Sequence, residues 1–363
     1  MLIFFFFPNL RPGGAERVML QLLNFTHDKG LSVSLLLGKK EGQLLEQLNP
    51  QIPVYELGSF EARNTVFPLI SFCKIHQPDI LFTTLGSSIA AALAKPFLPS
   101  KTMLISRLGN TIGAERKLIK SPIRRGIVMS LLKLLAKKSD RVVFQSQFMK
   151  HDFSKFIKVE ESKCRVIYNP VNIIDIKLKA EEEASGADLI AIGRLMEQKD
   201  YFTLIRSIAH YKSISSNPIK LNIIGSGPLE SVMRKLVEDL GLKDEIKFLG
   251  FQNNPYKYLS KSKYLISSSL YEGFSNVILE SLALGVPVIA TDCPSGNREV
   301  LIEGENGFFT KVGDPVMMGE TIKEALDKRL LFDSDQIITN LKAKFDLRFI
   351  GEQYVQIFNE YNK

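Results

Sequence analysis

The sequence predicts an α/β protein made of two doubly wound parallel-sheet domains, and three observations carry that prediction. Short apolar runs alternate with stretches of helical spacing along nearly all of the 363 residues, the order expected of strand–helix–strand units. The alternation breaks once, over Ile173–Gly186, where EEEASG reads as a linker without apolar periodicity. The length suits two domains of about 100–200 residues each.

In the first half, strands are expected at Leu2–Phe7, Leu31–Leu37, Val54–Leu57, Asp79–Thr83, Thr102–Ser106, Arg141–Gln145 and Cys164–Tyr168. Helices are expected at Arg17–Phe25, after the glycine turn Gly13-Gly14, and at Phe67–His76 and Ala90–Lys95, the last following a small-residue loop over Thr84–Ser88. The opening run Leu2–Phe7 lacks a basic flank and stops at Pro8, so it reads as a buried strand rather than a signal sequence or a membrane span. The pattern restarts with strands at Leu189–Ile192, Leu221–Ile224, Ile246–Leu249, Tyr264–Ser267 and Val286–Ala290. Helices at Phe202–Tyr211, Leu229–Leu240, Asn254–Lys261 and Val277–Leu284 separate them, and Leu347–Tyr361 is a final helix with no strand after it. Domains are therefore expected at 1–174 and 175–346.

Composition narrows the function classes. A hydrophobic content of 45% and a charged content of 24% are ordinary for a soluble enzyme. Three cysteines, Cys73, Cys164 and Cys293, lie far apart with neither metal-ligand spacing nor a disulfide framework, which fits a reducing compartment. The formal net charge of +8 points to a polyanionic partner. Much of the excess falls in residues 116–138, where Arg116, Lys117, Lys120, Arg124, Arg125, Lys133, Lys137 and Lys138 interleave with leucines and isoleucines and no acid intervenes. That is the pattern of a basic amphipathic helix or helix pair lying on an anionic membrane surface. The alternative is a solvated helix whose apolar face packs in the core.

Strand ends run into Gly13-Gly14, Gly86-Ser87-Ser88, Gly193, Gly225-Ser226-Gly227 and Gly273, and ligands of open parallel sheets bind beyond such ends. No turn matches the dinucleotide fingerprint with its following acid, and no P-loop is present. Gly193-Arg194-Leu195-Met196-Glu197-Gln198-Lys199-Asp200 is more specific, because Arg194 and Lys199 after a strand can clamp a diphosphate. Cations at a helix start oppose its dipole, so an anion between them is the economical explanation. The stretch Tyr264–Val300 reads as strand, loop, helix and strand, with Ser275 as N-cap and Gly285 at the C′ position. Glu272 and Glu280 stand eight residues apart there, about two helical turns or ~12 Å. Two carboxylates beside an anion-attracting helix start need a ligand that offers both kinds of partner.

GGAER near the N-terminus, VIYNPVN, GRLMEQKD, IIGSGPLE, FLGF and YEGFSNVILESLALGVPVIATD together resemble the GT-B retaining glycosyltransferases of family 4. The resemblance covers nearly the whole chain, and its motifs fall in family order with E-x7-E intact. It implies a GT-B fold, two Rossmann-like domains facing across a cleft, with the final helix 347–363 packing back on the first domain. It implies transfer of a sugar from a nucleotide sugar, of the UDP-hexose or UDP-N-acetylhexosamine kind. By resemblance, Arg194 and Lys199 bind the donor diphosphate, Glu272 sits at the donor sugar and Glu280 accepts from the ribose hydroxyls. The amides of Gly273, Phe274, Ser275 and Asn276 meet sugar and phosphate, Gly14 approaches the diphosphate from the first domain, and Gly193, Gly225, Gly227 and Phe251 complete the donor site. No metal or other cofactor is implied.

Two stretches depart from the family pattern. SRLGNTIG stands where many relatives place a histidine, so Arg107 or Asn110 takes the acceptor-side role. Pro294-Ser295-Gly296-Asn297-Arg298-Glu299 stands where relatives often have paired glycines, which retunes the sugar pocket. The basic first domain suits a glycan acceptor on a polyprenyl diphosphate or a lipopolysaccharide core, and an enzyme peripheral to the inner face of the cell membrane, with no nucleic-acid partner. The competing readings are a sugar-nucleotide epimerase of the same architecture and a non-enzymatic polyanion-binding protein.

Overall fold

A computed structural model of the chain describes residues 1–11, 13–59, 61–84, 86–327 and 332–362. It divides into two compact units, Met1–Pro170 with Leu347–Lys363 and Val171–Asp346. The turn reading over 84–88 touches residue 85 and the final-helix reading touches residue 363, both outside the described residues.

The first unit is laid out as β1 (Leu2–Phe7), α1 (Gly14–Asp28), β2 (Ser32–Leu37), β3 (Val54–Glu56), α2 (Ala62–His76), β4 (Ile80–Thr84) and α3 (Gly86–Ala94). It continues with β5 (Met103–Arg107), α4 (Ile112–Leu118), α5 (Pro122–Lys138), β6 (Arg141–Phe144), α6 (Gln147–Ser154) and β7 (Cys164–Val166). The seven strands are parallel in the order β3-β2-β1-β4-β5-β6-β7. The apolar opening run is thus the central strand, and its alternation serves both faces of the sheet. Ile3, Phe5 and Phe7 pack with α1, while Phe4 and Phe6 pack with α2 and α3. Several helices begin earlier than expected, α1 at Gly14 rather than Arg17 among them. Pro68 reads as a first-turn residue, yet it lies inside α2, and α3 starts at Gly86, where Ser87 Oγ donates to the Phe6 carbonyl at 2.7 Å.

The second unit begins with α7 (Ile173–Ala180), then β8 (Leu189–Ile192), α8 (Tyr201–Ile214), β9 (Leu221–Ile224), α9 (Glu230–Asp239), β10 (Ile246–Gly250) and α10 (Tyr256–Leu259). It ends with β11 (Tyr264–Ser267), α11 (Asn276–Ala283), β12 (Val288–Thr291), β13 (Gly307–Thr310), α12 (Pro315–Asp327) and α13 (Ser334–Phe345). Six parallel strands run in the order β10-β9-β8-β11-β12-β13. Helices α8, α9 and α12 close one face over Leu204, Ile208, Met233 and Ile322. The first part of the expected linker is folded. Asn172 caps α7 by accepting from the Asp175 amide at 3.2 Å, and Ile173, Ile176 and Ala180 bury one face.

The chain then returns to the first unit as α14 (Leu347–Asn359). Phe358 packs edge-on against Phe5 and Phe82, and Glu360 pairs with Arg141 at 2.6 Å and Arg165 at 3.0 Å. Burial alone would raise the Glu360 pKa, but the two guanidiniums outweigh it and hold the carboxyl below its ordinary value.

Residues 116–138 form the end of α4 and all of α5 rather than one helix. Ser121 Oγ caps α5 by accepting from the Arg124 amide. Leu135 and Ala136, near its end, are buried, whereas Ile123 and Ile127, near its start, are 76% and 56% exposed. Core packing and an open basic-apolar surface therefore occupy opposite ends of one helix. No helix among the described residues is long and apolar enough to cross a membrane.

Candidate active site

Strand order in the second sheet reverses between β8 and β11, the place where open parallel sheets bind their ligands. The β8 end is built on close backbone approach. Gly193 N–H donates to the Ile224 carbonyl at 3.0 Å and Leu195 N–H to the Ser226 carbonyl at 3.0 Å. Gly225 has φ +140°, and a Cβ on it would lie 1.9 Å from the Gly193 carbonyl oxygen. One on Gly227 would lie 2.3 Å from the Leu195 carbonyl oxygen. These two glycines are dictated by the contact between two strand-end loops.

The following turn delivers Lys199. Asp200 has φ +43°, a left-handed conformation that costs a residue with a side chain about 1–2 kcal/mol. Its carboxylate repays that by capping α8, accepting from the Thr203 amide at 3.3 Å and the Thr203 hydroxyl at 2.6 Å. The loop is then tied to the one after β11. Ser268 Oγ donates to the Lys199 carbonyl at 2.7 Å, Leu270 N–H to the Gln198 carbonyl at 2.8 Å and Gln198 Nε2 to the Tyr271 carbonyl at 3.0 Å. The outcome is an ion pair. Lys199 Nζ stands 2.5 Å from Glu272 Oε1, and Ser269 Oγ donates to the same oxygen at 2.7 Å. Glu272 is only 8% exposed. Arg194, by contrast, is exposed and enters no ion pair among the described residues.

The sequence assigns Lys199 to the diphosphate and Glu272 to the sugar, and the structure brings the two together. An ammonium has three donors, so Lys199 can hold Glu272 and an anion at once. The Glu272 charge also reaches its neighbours. Burial first, then this carboxylate, push the Cys293 thiol up to about 11 and raise the Tyr201 phenol further still. Cys293 is therefore a thiol at neutral pH and no nucleophile.

Ser275 occupies the N-cap position of α11, as expected, but its hydroxyl accepts no cap hydrogen bond. Ser275 lines a small space together with Lys199, Tyr201, Ser267, Ser268 and Ser269. The other end of α11 follows the expectation. Gly285 has φ +68°, and the amides of Gly285 and Val286 return to the carbonyls of Leu282 and Ser281 at 3.1 and 3.0 Å. Phe274 is buried against Phe345, ring centroids 5.8 Å apart, so its backbone alone is open to a ligand. Gly273 accepts through its carbonyl from the Gly296 amide at 2.9 Å. Asn276 is the first residue of α11, and Glu280, on the same helix, accepts from Tyr256 Oη at 3.2 Å. Phe251 is exposed just after β10. Ser269, Tyr201 and Tyr256 are site residues that the motif reading passes over.

In the first unit Gly14 is the first residue of α1. Arg107 lies at the end of β5 and is 1% exposed, donating from Nε to Tyr354 Oη at 3.1 Å and from Nη2 to Asn169 Oδ1 at 2.5 Å. Two of its nitrogens thus hold α14 and Asn169, while Nη1 is buried with no hydrogen-bond partner among the described residues. Asn110 donates to Glu115 Oε1 at 2.7 Å. Burial raises the Glu115 pKa and that hydrogen bond moderates the rise. Among the described residues no three His, Cys, Asp or Glu gather as a metal site.

Two family models match, glycosyltransferase family 4 over residues 12–174 and glycosyl transferases group 1 over residues 174–344. The chain belongs to the family 4, group 1 glycosyltransferases. This glycosyltransferase is similar to N-acetylgalactosamine-N,N'-diacetylbacillosaminyl-diphospho-undecaprenol 4-alpha-N-acetylgalactosaminyltransferase of Campylobacter jejuni, 28% identical over 337 residues, 89% of each chain. It is also similar to the lipopolysaccharide core biosynthesis glycosyltransferase LpsD of Rhizobium meliloti, 23% identical over 96% of this chain and 95% of that one. Among solved structures, Anabaena HepE in complex with UDP-glucose superposes with a TM-score of 0.81 at 20% identity, covering 99% of this glycosyltransferase and all of that chain. The two-domain α/β GT-B fold expected from the motifs is the fold of this glycosyltransferase.

Proposed function

We propose that this glycosyltransferase moves a hexose or N-acetylhexosamine from a UDP-sugar to a lipid-linked glycan, with retention at the anomeric carbon and without a metal ion. The observation that carries the reading is the pairing of Lys199 with the buried Glu272 at the reversal point of the second sheet, with Arg194, which enters no ion pair among the described residues, on the same strand-end loop as Lys199. A nucleotide sugar offers anionic and neutral groups within one molecule, and this wall presents a partner for each. Arg194 and Lys199 stabilise the charge that grows on the departing diphosphate, joined by the backbone amides at the start of α11. Glu272, held by Lys199 and Ser269, orients the sugar through its hydroxyls. Glu280, steadied by Tyr256, accepts from the ribose. Gly193, Gly225, Gly227 and Phe251 line the base end.

The acceptor reading is supported by the basic, apolar start of α5 and by the undecaprenol-linked substrate in the Campylobacter relative's name. We assign α5 to the anionic inner face of the cell membrane and Asn110, with Glu115, to the acceptor side. The test is a screen of UDP-sugars against polyprenyl-diphosphate glycans, with mass and linkage analysis of products. Transfer with an α-linkage from an α-linked donor is expected. Epimerised UDP-sugar formed without acceptor, or no binding of UDP, would overturn the reading.

A further inference from the structure

Asn297, which stands in the loop after β12 where the sequence departs from paired glycines, is 2% exposed and has no role in the reading so far. Its loop is fastened to the Glu272 loop at three points. Glu272 N–H donates to the Pro294 carbonyl at 3.2 Å, Gly296 N–H to the Gly273 carbonyl at 2.9 Å, and Ser275 N–H to Asn297 Oδ1 at 3.3 Å. Ser295 Oγ in turn accepts from the Asn297 amide at 3.2 Å. The carboxamide orientation follows from chemistry, since the atom facing an N–H must be the oxygen. Nδ2, with two hydrogens, is then left with no hydrogen-bond partner among the described residues. Nδ2 is not sealed off from solvent as the buried, unpartnered side-chain atoms are, so a ligand oxygen can reach it and accept from it.

We infer that Asn297 is a specificity-determining residue for the donor, its Nδ2 donating to a hydroxyl or acetamido oxygen of the transferred sugar while Oδ1 keeps the Ser275 amide in place. The inference rests on the UDP-sugar reading above. Three features support the sugar end of the donor rather than the base or ribose end. The carboxamide is bonded within the Glu272–Ser275 loop, Glu280 and Tyr256 sit elsewhere on α11 and α10, and the Cys293 thiol on the same loop senses the Glu272 charge.

The experiment measures binding of UDP, UDP-glucose and UDP-N-acetylglucosamine to the full chain by calorimetry, for wild type, Asn297→Ala and Ser295→Ala. Asn297→Ala is expected to weaken the preferred UDP-sugar about tenfold or more and to change the ratio between the two sugars, with UDP affinity kept within about threefold, since one lost hydrogen bond of about 1.4 kcal/mol is a factor of ten. Ser295→Ala loosens the same loop without touching the carboxamide and is expected to leave all three affinities within about threefold. Equal loss of UDP and UDP-sugar in Asn297→Ala, unchanged UDP-sugar binding, or a matching selective loss in Ser295→Ala would each overturn the assignment. Failure of the wild-type protein to bind UDP would instead remove the donor reading itself, and this inference with it.

Discussion

Replacing Lys199 by methionine keeps most of the stem and removes the charge, stranding the Glu272 carboxylate. The side chains of the pair are 22% and 10% exposed. Deleting one partner of a fully buried pair costs about 3–5 kcal/mol and an exposed pair is worth about 0–1 kcal/mol, so about 2–3 kcal/mol is expected here, with the Ser269 hydrogen bond retained. For a unit of this size about 2–4 °C accompanies each kcal/mol, which gives a fall of about 5–10 °C in the Tm of the second unit. Glu272→Gln alone should cost less, about 1 kcal/mol, because the flexible lysine stem can carry its ammonium to water. The double variant Lys199→Met/Glu272→Gln should recover most of the stability lost by Lys199→Met.

Turnover should follow a different pattern. Loss of one electrostatic stabiliser of a leaving group costs about 100- to 1,000-fold in kcat, and the double variant should remain as impaired as the worse single one. Scanning calorimetry and steady-state transfer assays on all four proteins test both halves. A Lys199→Met protein that melts with the wild type would refute the idea that the pair holds the wall together. A double variant as unstable as Lys199→Met would move the cause from the stranded charge to lost packing of the lysine stem. Recovery of turnover in the double variant would mean that Lys199 acts only by neutralising Glu272, and the diphosphate role would fall.

Arg194→Ala should lower kcat about 100-fold with Tm unchanged, because the exposed guanidinium holds nothing among the described residues; full activity in that variant would sink its assignment. Gly225→Ala should cost about 2–4 kcal/mol in denaturant melts and abolish UDP binding, since its Cβ would lie 1.9 Å from the Gly193 carbonyl oxygen. Asp79 is held at about 2, burial that would raise it being outweighed by hydrogen bonds from Lys101, the Leu2 amide and Tyr361. Its folded-state pKa is depressed, so its contribution is present above the ordinary carboxylate value and is lost as pH falls from about 4 to 2. Asp79→Asn should therefore be less stable than wild type at pH 7 and converge with it at the acid end of a pH series of denaturant melts. Vesicles containing phosphatidylglycerol should retain the wild-type protein at low salt and release Arg124→Glu/Arg125→Glu and Ile123→Asp; retention of either variant would exclude the start of α5 as the contact.

The strands were legible because buried parallel strands are apolar on both faces, and β1, β8, β9 and β11 begin and end where the apolar runs do. Helices were harder wherever the apolar pattern was not one-sided. In α7, Ile174 and Leu178 are exposed while Ile173 and Ile176 are buried, so apolar residues lie all round it and the period is hidden. The segment from Gly307 to Phe345 received no assignment, yet it folds as β13, α12 and α13. At the site, residue types were readable and their partners were not. Lys199 and Glu272 are 73 residues apart, and only the hydrogen bonds between two strand-end loops bring them together. Arg107 shows the same limit from the other side. Beside a strand end, arginine reads as a ligand group; its Tyr354 partner is 247 residues away on a helix that returns to the first unit. A charge next to a strand end therefore signals function only once the segments that can reach it are known, and in this chain α14 claims Arg107 while nothing described claims Arg194.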